Sequence, residues 1–272
     1  MSASILLYAW ANPVTGTLWD HTWVTTYDNR SAHYPDIGKV VKDGLDYWFC
    51  WGDYHPSGST PNHPDGFLGA MSGDLGIARC LCRSNAPSKT GAPTCGTIFT
   101  YGIDGVCHQL ANQVLWATKG PVAGPLTVSN ARGYHISSFF FGTYGNQSVA
   151  WKAKQQSCAP LTPKLMNADD EFEIHARQAL SAGKGADKLQ ALLDLRAEAL
   201  AATGQFSRRS RAKDPPTAEE LNATYNAFLE RARKLLGADF KAVFGPEAKA
   251  KADIVDPAMM RASGKRGPRK AK

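Results

Sequence analysis

The chain has 272 residues, of which 43% are hydrophobic and 20% charged, and its formal net charge is +7 at neutral pH. This composition excludes a highly charged disordered chain and allows a sizeable hydrophobic core. No apolar run reaches the roughly 18 residues that a membrane span requires, and no basic residue precedes the first apolar stretch as in a secretory signal. We therefore expect no transmembrane segment and a cytoplasmic location, or export as an effector without a classical signal peptide.

The chain changes composition after the segment 157–164. Residues 1–160 contain all seven Trp and all six Cys, with 10 Lys+Arg against 9 Asp+Glu, whereas residues 161–272 carry 21 Lys+Arg against 15 Asp+Glu. This shift predicts a strand-rich domain over 1–160, a helical extension over 161–260 and a basic, disordered tail over 261–272. Six cysteines are too few for a disulfide framework in a chain of this length, so we expect mostly reduced thiols.

Alternating apolar and aromatic residues dominate the first part of the chain and predict β-strands. The predicted strands are 4–11, 21–28, 45–52, 97–102 and 134–145. The Gly-, Pro- and Ser-rich stretch 53–75 predicts a long irregular loop, and 74–85 fits either a short helix or a strand. Residues 105–118 have helical periodicity.

Helical periodicity dominates the second part. The three predicted helices are 169–183, 187–204 and 217–237. The first begins with acidic residues, and the last begins with a capping box formed by Thr217 and Glu220. Glycine is expected to end each helix, at Gly183, Gly204 and Gly237. The fold class is therefore α+β, with an antiparallel sheet against a cysteine-bearing helix and a helical C-terminal extension.

The stretch "GIDGVCHQLANQVL" (102–115) carries the strongest chemical signal. Cys107 lies at the start of the predicted helix and shares an inward face with Leu110, Ala111 and Val114. A helix N-terminus favours thiolate over thiol, and its free N–H groups can stabilise an oxyanion. Cys107 is therefore either a nucleophile or a small buried residue, and its position alone does not separate the two.

A thiol nucleophile needs a general base, which is usually histidine. His108 follows Cys107 directly, but adjacent helical side chains point about 100° apart. His21 begins a predicted strand and His135 lies on another, while His33, His55 and His63 lie in loops or at strand ends, so the residues alone leave several candidates.

A histidine-led strand "HTWV" (21–24), further strands, and then a cysteine at a helix start resemble the circularly permuted NlpC-type, papain-like thiol enzymes. This superfamily includes the lecithin:retinol acyltransferase-like proteins and related bacterial cysteine hydrolases. The resemblance covers about residues 4–150. The chain departs from the family's Asn-Cys-x-His-Phe pattern, because Val106 stands in place of Asn and His108 follows Cys107 without a spacer.

The resemblance implies a hydrolase, or an acyl or peptidyl transferase, that acts on an amide or ester bond without a cofactor. Cys107 would be the nucleophile and His21 the base, and the substrate would be a peptide, a protein or another amide or ester. If strands 21–28 and 45–55 pair antiparallel, His21 faces Asp53 or His55. Either residue could orient the imidazole, and the sequence does not choose between them.

Other readings use the remaining features. Cys80, Cys82, Cys95 and Cys107, with His108, could bind structural zinc, although C-x-C is not the usual spacing. The basic linker 207–216 and the tail could contact phosphates, but no aromatic residues are interleaved and no known motif is present, which argues against nucleic acid as a partner. A binding module could also keep the fold without turnover and use the basic helical region to engage a partner.

Overall fold

In the computed structural model, residues 4–14, 17–26, 28, 48–49, 66–82, 101–119, 126–146, 153, 156–160, 170–182, 185–210, 214–249, 251–257 and 260 are described. Four strands form one antiparallel sheet in the order β3-β2-β1-β4, namely β1 (Ser4–Pro13), β2 (Asp20–Thr25), β3 (Trp48–Phe49) and β4 (Phe67–Asp74). The predicted strand 4–11 is confirmed, and the predicted strand 21–28 is confirmed as far as Thr25. In the third predicted strand, the described pairing is limited to Trp48 and Phe49.

Strand β4 corrects the prediction of an irregular loop over 53–75 in its last part, 67–74, while residues 53–65 lie outside the described part of the chain. Its glycines suggested turns, but they allow close approach to neighbouring segments. A Cβ on Gly69 would lie 2.9 Å from Leu126 Cδ1, and one on Gly73 would lie 2.4 Å from Leu7 Cδ1. The missing side chains therefore let β4 pair with β1 along the core.

The two faces of the sheet have different environments. Successive side chains of a strand point to opposite faces. Leu7 and Val24 belong to the main hydrophobic cluster, while Trp10 and Trp23 form a separate cluster. The register pairs Trp10 with Trp23 across β1 and β2. We call the surface with Leu7 and Val24 the core face and the surface with the two tryptophans the aromatic face.

Three helices follow the sheet, α1 (Leu75–Cys82), α2 (Cys107–Thr118) and α3 (Tyr134–Phe141). The helix predicted over 105–118 is confirmed, and the segment 74–85 is helical as far as Cys82. All twelve residues of α2 are buried, because α2 lies between the core face and the later helices.

Helix α3 corrects the prediction of a strand over 134–145. Its sequence YHISSFFF is apolar and aromatic, which favours strands when no partner is known. The helix begins after Gly133 (φ 79°) and ends at Gly142 (φ 68°), and glycine adopts these left-handed conformations readily. Phe139, Phe140 and Phe141 are all buried, so no polar face marks the helical period.

The C-terminal part forms the helices α4 (Glu171–Ser181), α5 (Leu189–Arg209), α6 (Ala218–Leu236) and α7 (Phe240–Phe244). Thr217 accepts a hydrogen bond from the Glu220 N–H, so the predicted N-cap is confirmed. Helix α5 does not end at Gly204 as predicted but continues to Arg209, so the first residues of the predicted basic linker are helical. Buried residues of both parts, from Leu7 to Val255, belong to one hydrophobic cluster.

The segment 251–257 after α7 is held by α6. The Asn222 side chain donates to Val255 O at 2.9 Å and accepts from Val255 N at 2.9 Å. Val255 is fully buried against Gly102, where a Cβ would lie 2.6 Å from Val255 Cγ1. The Tyr225 hydroxyl donates to Gly102 O at 2.8 Å. These contacts fix the segment against the turn that precedes α2.

A disulfide joins Cys80 in α1 to Cys158. It contradicts the expectation of reduced thiols for these two residues. The bond closes a loop with a sequence separation of 78 residues that includes α2 and α3. Among the described cysteines with a placed side chain, Cys107 is the free one.

Opening this disulfide is expected to lower the free energy of unfolding by about 2–4 kcal/mol, because the unfolded chain regains the freedom of a long loop. Denaturant titrations with and without tris(2-carboxyethyl)phosphine measure the difference, and Cys158→Ala should reproduce it. Peptide mapping without reductant should recover Cys80 linked to Cys158. Recovery of both residues as free thiols would contradict the prediction. A persistent bond would favour an oxidising compartment, so the mapping also bears on the predicted cytoplasmic location.

Among the described helices, none is long and apolar enough to cross a membrane.

Candidate functional site

Cys107 is the first residue of α2 and lies on a cavity of about 260 Å³ between β2, the turn 101–106 and the segment 251–257. The preceding residue, Val106, is extended, and its N–H donates to Gln109 Oε1 at 3.2 Å. This bond fixes the first turn of the helix. The described lining residues are Val14, Thr17, Trp19, Asp20, His21, Tyr101, Val106, Cys107, His108, Asp253, Ile254, Asp256 and Pro257.

The Cys107 thiol lies against the beginning of β2. Its Sγ is 3.7 Å from Asp20 O, and the residue is 8% exposed. Burial raises the pKa of the thiol, and hydrogen bonds from Thr22 and the backbone groups of His108 and Cys107 lower it only in part. The expected lowering by the helix N-terminus is therefore present but is outweighed by desolvation. The resting group is a thiol that donates to Asp20 O.

Thr22 lies on the core face of β2 beside this sulfur. Its hydroxyl Oγ1 is buried and has no hydrogen-bond partner of normal geometry in the described part of the chain. Its proximity to Cys107 nevertheless lowers the pKa of the thiol.

His108 also points at Asp20. Its Nε2 lies 3.1 Å from Asp20 O and its Nδ1 lies 2.9 Å from Ser137 Oγ. Burial lowers the pKa of His108 to about 4, although Asp20 opposes that shift, so the ring is neutral near pH 7. Cys107 and His108 therefore both contact the same carbonyl oxygen, although adjacent side chains of a helix point about 100° apart.

The hydrogen-bond partners assign the tautomer of His108. Asp20 O can only accept, so Nε2 carries the proton of the neutral ring and Nδ1 is an acceptor. Ser137 Oγ lies 2.9 Å from Tyr134 O as well as 2.9 Å from Nδ1, and its single proton is directed to Nδ1, because Nδ1 has no proton of its own to donate. Gln109 Nε2 in turn donates to Ser137 Oγ at 3.1 Å. The chain Gln109–Ser137–His108–Asp20 uses both ring nitrogens of His108. In this arrangement His108 has no lone pair for the proton of Cys107.

The carboxylate of Asp20 is paired on the other side. Arg132 Nε donates to Asp20 Oδ1 at 2.7 Å, and Arg132 N donates to Asp20 Oδ2 at 2.9 Å. Asp20 N donates to Arg132 O at 3.1 Å. These bonds fix the start of β2 and hold its carbonyl oxygen toward the two side chains of α2.

His21 lines the same cavity, but its ring belongs to the aromatic face of β2. The imidazole is stacked on Trp23, with ring centroids 5.6 Å apart and an interplanar angle of 19°. Thr22, the intervening residue, faces Cys107. The structure thus brings His21 and Cys107 to one cavity from opposite faces of β2, and the groups that shift the pKa of the thiol do not include the His21 ring.

The other sequence-based candidates have different outcomes. Asp53 and His55 lie outside the described residues, as does Cys95. Cys80 is in the disulfide and is therefore not a thiolate for zinc in this state. No group of three or more His, Cys, Asp or Glu within the described ranges is arranged to hold a metal ion.

Sequence reasoning missed Asp20, Thr22 and the segment 251–257. The sequence held a signal for Asp20. The stretch "CHQLANQ" places several polar side chains on a helix that is predicted to pack against the sheet. Buried polar groups need partners, and those partners could be sought at strand ends. No local pattern links residues near 20 with residues near 132 or 254.

Comparison with known proteins adds no assignment. No protein-family model, no curated protein and no solved structure matches this chain.

Proposed function

We propose that this protein is a cysteine-dependent acyl-transfer enzyme with a permuted papain-like core. It would hydrolyse an amide or ester bond or transfer the acyl or peptidyl group to an amine. The observation that carries the proposal is the position of Cys107, which is the first residue of a buried helix and lines a cavity together with two imidazoles. This combination supplies a nucleophile, oxyanion donors and candidate bases within one site.

The reaction follows from these groups. Sγ attacks the carbonyl carbon of the substrate while its proton passes to an imidazole. The oxyanion accepts hydrogen bonds from N–H groups in the first turn of α2, where the amides have no intrahelical acceptor. The imidazolium then protonates the leaving amine or alcohol, and a thioester remains on Cys107. Water or an amine attacks the thioester and restores the thiol.

We assign the role of base to His21 and a positioning role to His108. Both nitrogens of His108 are engaged, and its low pKa makes it a weak base. His21 lines the same cavity as Cys107. Because its ring is stacked on Trp23, catalysis requires a change of its side-chain conformation that brings the imidazole to Sγ.

Acyl-enzyme trapping tests these roles. The full chain is incubated with 4-nitrophenyl esters and peptide 4-nitroanilides, quenched in acid and analysed by mass spectrometry for an acyl group on Cys107. His21→Phe, which retains a ring against Trp23, is expected to slow acylation by at least about 10²-fold. His108→Gln retains an N–H donor for Asp20 O and is expected to slow it less.

Two outcomes would contradict the proposal. If His108→Gln abolishes acylation and His21→Phe does not, the base is His108. If Cys107 reacts with iodoacetamide in the native protein but is never acylated, Cys107 is not an acyl-transfer nucleophile.

The second candidate function is a binding module without turnover. The raised pKa of the buried thiol and the stacking of His21 on Trp23 favour it, since neither residue is preset for reaction. In that case a ligand would bind the cavity and stabilise the fold. Alkylation of Cys107 by iodoacetamide without any acylation, together with a ligand-dependent rise in Tm, would favour this function.

A further inference from the structure

The cavity beside Cys107 is smaller than a site for a peptide substrate. Its volume of about 260 Å³ lies below the roughly 300–1,000 Å³ of sites that hold drug-sized ligands. Cys107 itself is 8% exposed. Its Sγ therefore becomes accessible to a peptide or an extended ester when one wall of the cavity moves away.

The walls formed by β2, α2 and the turns beside them are parts of regular structure. Strand β2 is hydrogen-bonded to β1 on one side and to β3 on the other. The loop between β1 and β2 is closed by Val14 N, which donates to Trp19 O at 3.0 Å, and the turn before α2 by Gly102 N, which donates to Gly105 O at 2.7 Å. Helix α2 is buried along its whole length. Moving any of these walls would break secondary structure.

The remaining described wall is the segment 251–257, which is attached in a different way. The residues of this segment that line the cavity are Asp253, Ile254, Asp256 and Pro257. Within the described part of the chain, no hydrogen bond between backbone groups joins residues 252–255 to a helix, a strand or another loop. This wall can therefore move without breaking a helix or a strand.

Two asparagine side chains of α6 and one glycine hold the segment in place. Asn222 donates to Val255 O and accepts from Val255 N, both at 2.9 Å. Asn226 Oδ1 accepts from Ala252 N at 2.7 Å. The fully buried Val255 packs against Gly102, where a Cβ would lie 2.6 Å from Val255 Cγ1. A segment that depends on so few contacts opens at a lower free energy than the whole chain unfolds.

We propose that the segment 251–257 is a lid over Cys107. The lid opens when Val255 leaves Asn222 and Gly102, and the enlarged cavity then admits ligands that the closed cavity excludes. The statement that such a ligand is the substrate rests on the proposed acyl-transfer function. The opening itself does not depend on turnover, because it changes the access of any reagent to the thiol.

Two alkylating reagents of different size measure the opening. Native full-length protein is treated with iodoacetamide, which fits the closed cavity, and separately with N-(1-pyrenyl)iodoacetamide, which does not. In both reactions Sγ attacks the methylene carbon, a thioether forms, iodide leaves and the thiol proton passes to the buffer. Rates are taken from the peptide that contains Cys107 and are divided by the rates with 2-mercaptoethanol. The ratio of the pyrenyl rate to the iodoacetamide rate then reports access, because the pKa of the thiol affects both rates equally.

Asn222→Ala is expected to raise this ratio by at least about fivefold, because two hydrogen bonds that close the lid are lost. Lys188→Met is the matched control, since Lys188 Nζ donates to Leu236 O at 2.9 Å and to Asp239 Oδ2 at 2.8 Å, away from the cavity lining. This variant also loses two hydrogen bonds and should keep the ratio within about twofold of the wild-type value. If Asn222→Ala does not fold, Asn226→Ala, which loses one bond to the lid, should raise the ratio by at least about twofold.

An unchanged ratio in the asparagine variants, or an equal rise in Lys188→Met, would overturn the lid. Acyl-enzyme trapping on the same proteins separates the two proposals. A raised ratio without acylation of Cys107 supports the lid and contradicts the enzyme. Acylation with an unchanged ratio supports the enzyme and contradicts the lid.

Discussion

Cys107→Ala is expected to lower turnover of any ester or amide substrate of this protein by at least about 10³-fold, because nucleophile, base and oxyanion donors act as one unit. Cys107→Ser is expected to be nearly as inactive, since burial disfavours an alkoxide even more than a thiolate. Release of 4-nitrophenol or 4-nitroaniline measures the effect. Circular dichroism shows whether the variants keep the wild-type fold. Turnover above a tenth of the wild-type rate in Cys107→Ala would exclude a Cys107 acyl-enzyme.

The same residue should show an alkaline pH dependence. The pKa of the thiol lies above its usual range, so the thiolate appears only as the pH rises through that elevated value. Alkylation of Cys107 by iodoacetamide should therefore accelerate throughout the alkaline range and be slow at pH 7.

Thr22→Val tests how far the Thr22 hydroxyl contributes to the pKa of this thiol. The substitution keeps the shape of the side chain and removes the hydroxyl that lowers the pKa of the thiol. Alkylation at a given pH should slow by about two- to tenfold, which is the net value of one hydrogen bond. Because this hydroxyl has no other partner of normal geometry among the described residues, the change should leave no second group unpaired. An unchanged rate would contradict the contact between Thr22 and the sulfur.

Local sequence patterns correctly predicted those helices and strands that bury a single apolar face against the core. Strands β1 and β2 alternate, and the capped helix α6 has a regular apolar stripe. Helix α3 and strand β4 were missed because they lack such a contrast. Phe139, Phe140 and Phe141 meet neighbours on several sides, and the glycines of β4 are small because other segments approach them.

The candidate site was predicted as the pair Cys107 and His21, and in the structure both residues line one cavity, while the thiol of Cys107 contacts Asp20 O. The sequence identified Cys107, the start of its helix and the inward face correctly. It could not predict that Cys107 and His108 share Asp20 O as acceptor, because that oxygen is positioned by Arg132, 112 residues away. The sequence could not predict the pKa of the thiol either, since it depends on how deeply Cys107 is buried in the folded chain.

The protonation of buried histidines links the site to the stability of the whole chain. The pKa of His108 is lowered to about 4 by burial, and the pKa of His135 in the neighbouring helix α3 is lowered to about 4 by burial and by the charges of His175 and His108. In the unfolded chain, each should titrate near the ordinary value of 6.5. The unfolded state therefore takes up protons first as the pH falls, and stability is lost between about pH 6.5 and 4.

Between pH 7 and pH 5, each of these two histidines is expected to cost about 2 kcal/mol of unfolding free energy, or about 4 kcal/mol together. Urea titrations at the two pH values measure the sum, and NMR titration of the ring protons measures each pKa. His135→Phe is the informative variant, because Nδ1 of His135 is buried without a hydrogen-bond partner among the described residues. This change removes one titrating group, so the decrease between pH 7 and 5 should be about halved while stability at pH 7 is retained. If the wild-type protein is equally stable at both pH values, His108 is not held neutral by burial, and the assignment of Nδ1 as the acceptor of the Ser137 proton fails with it.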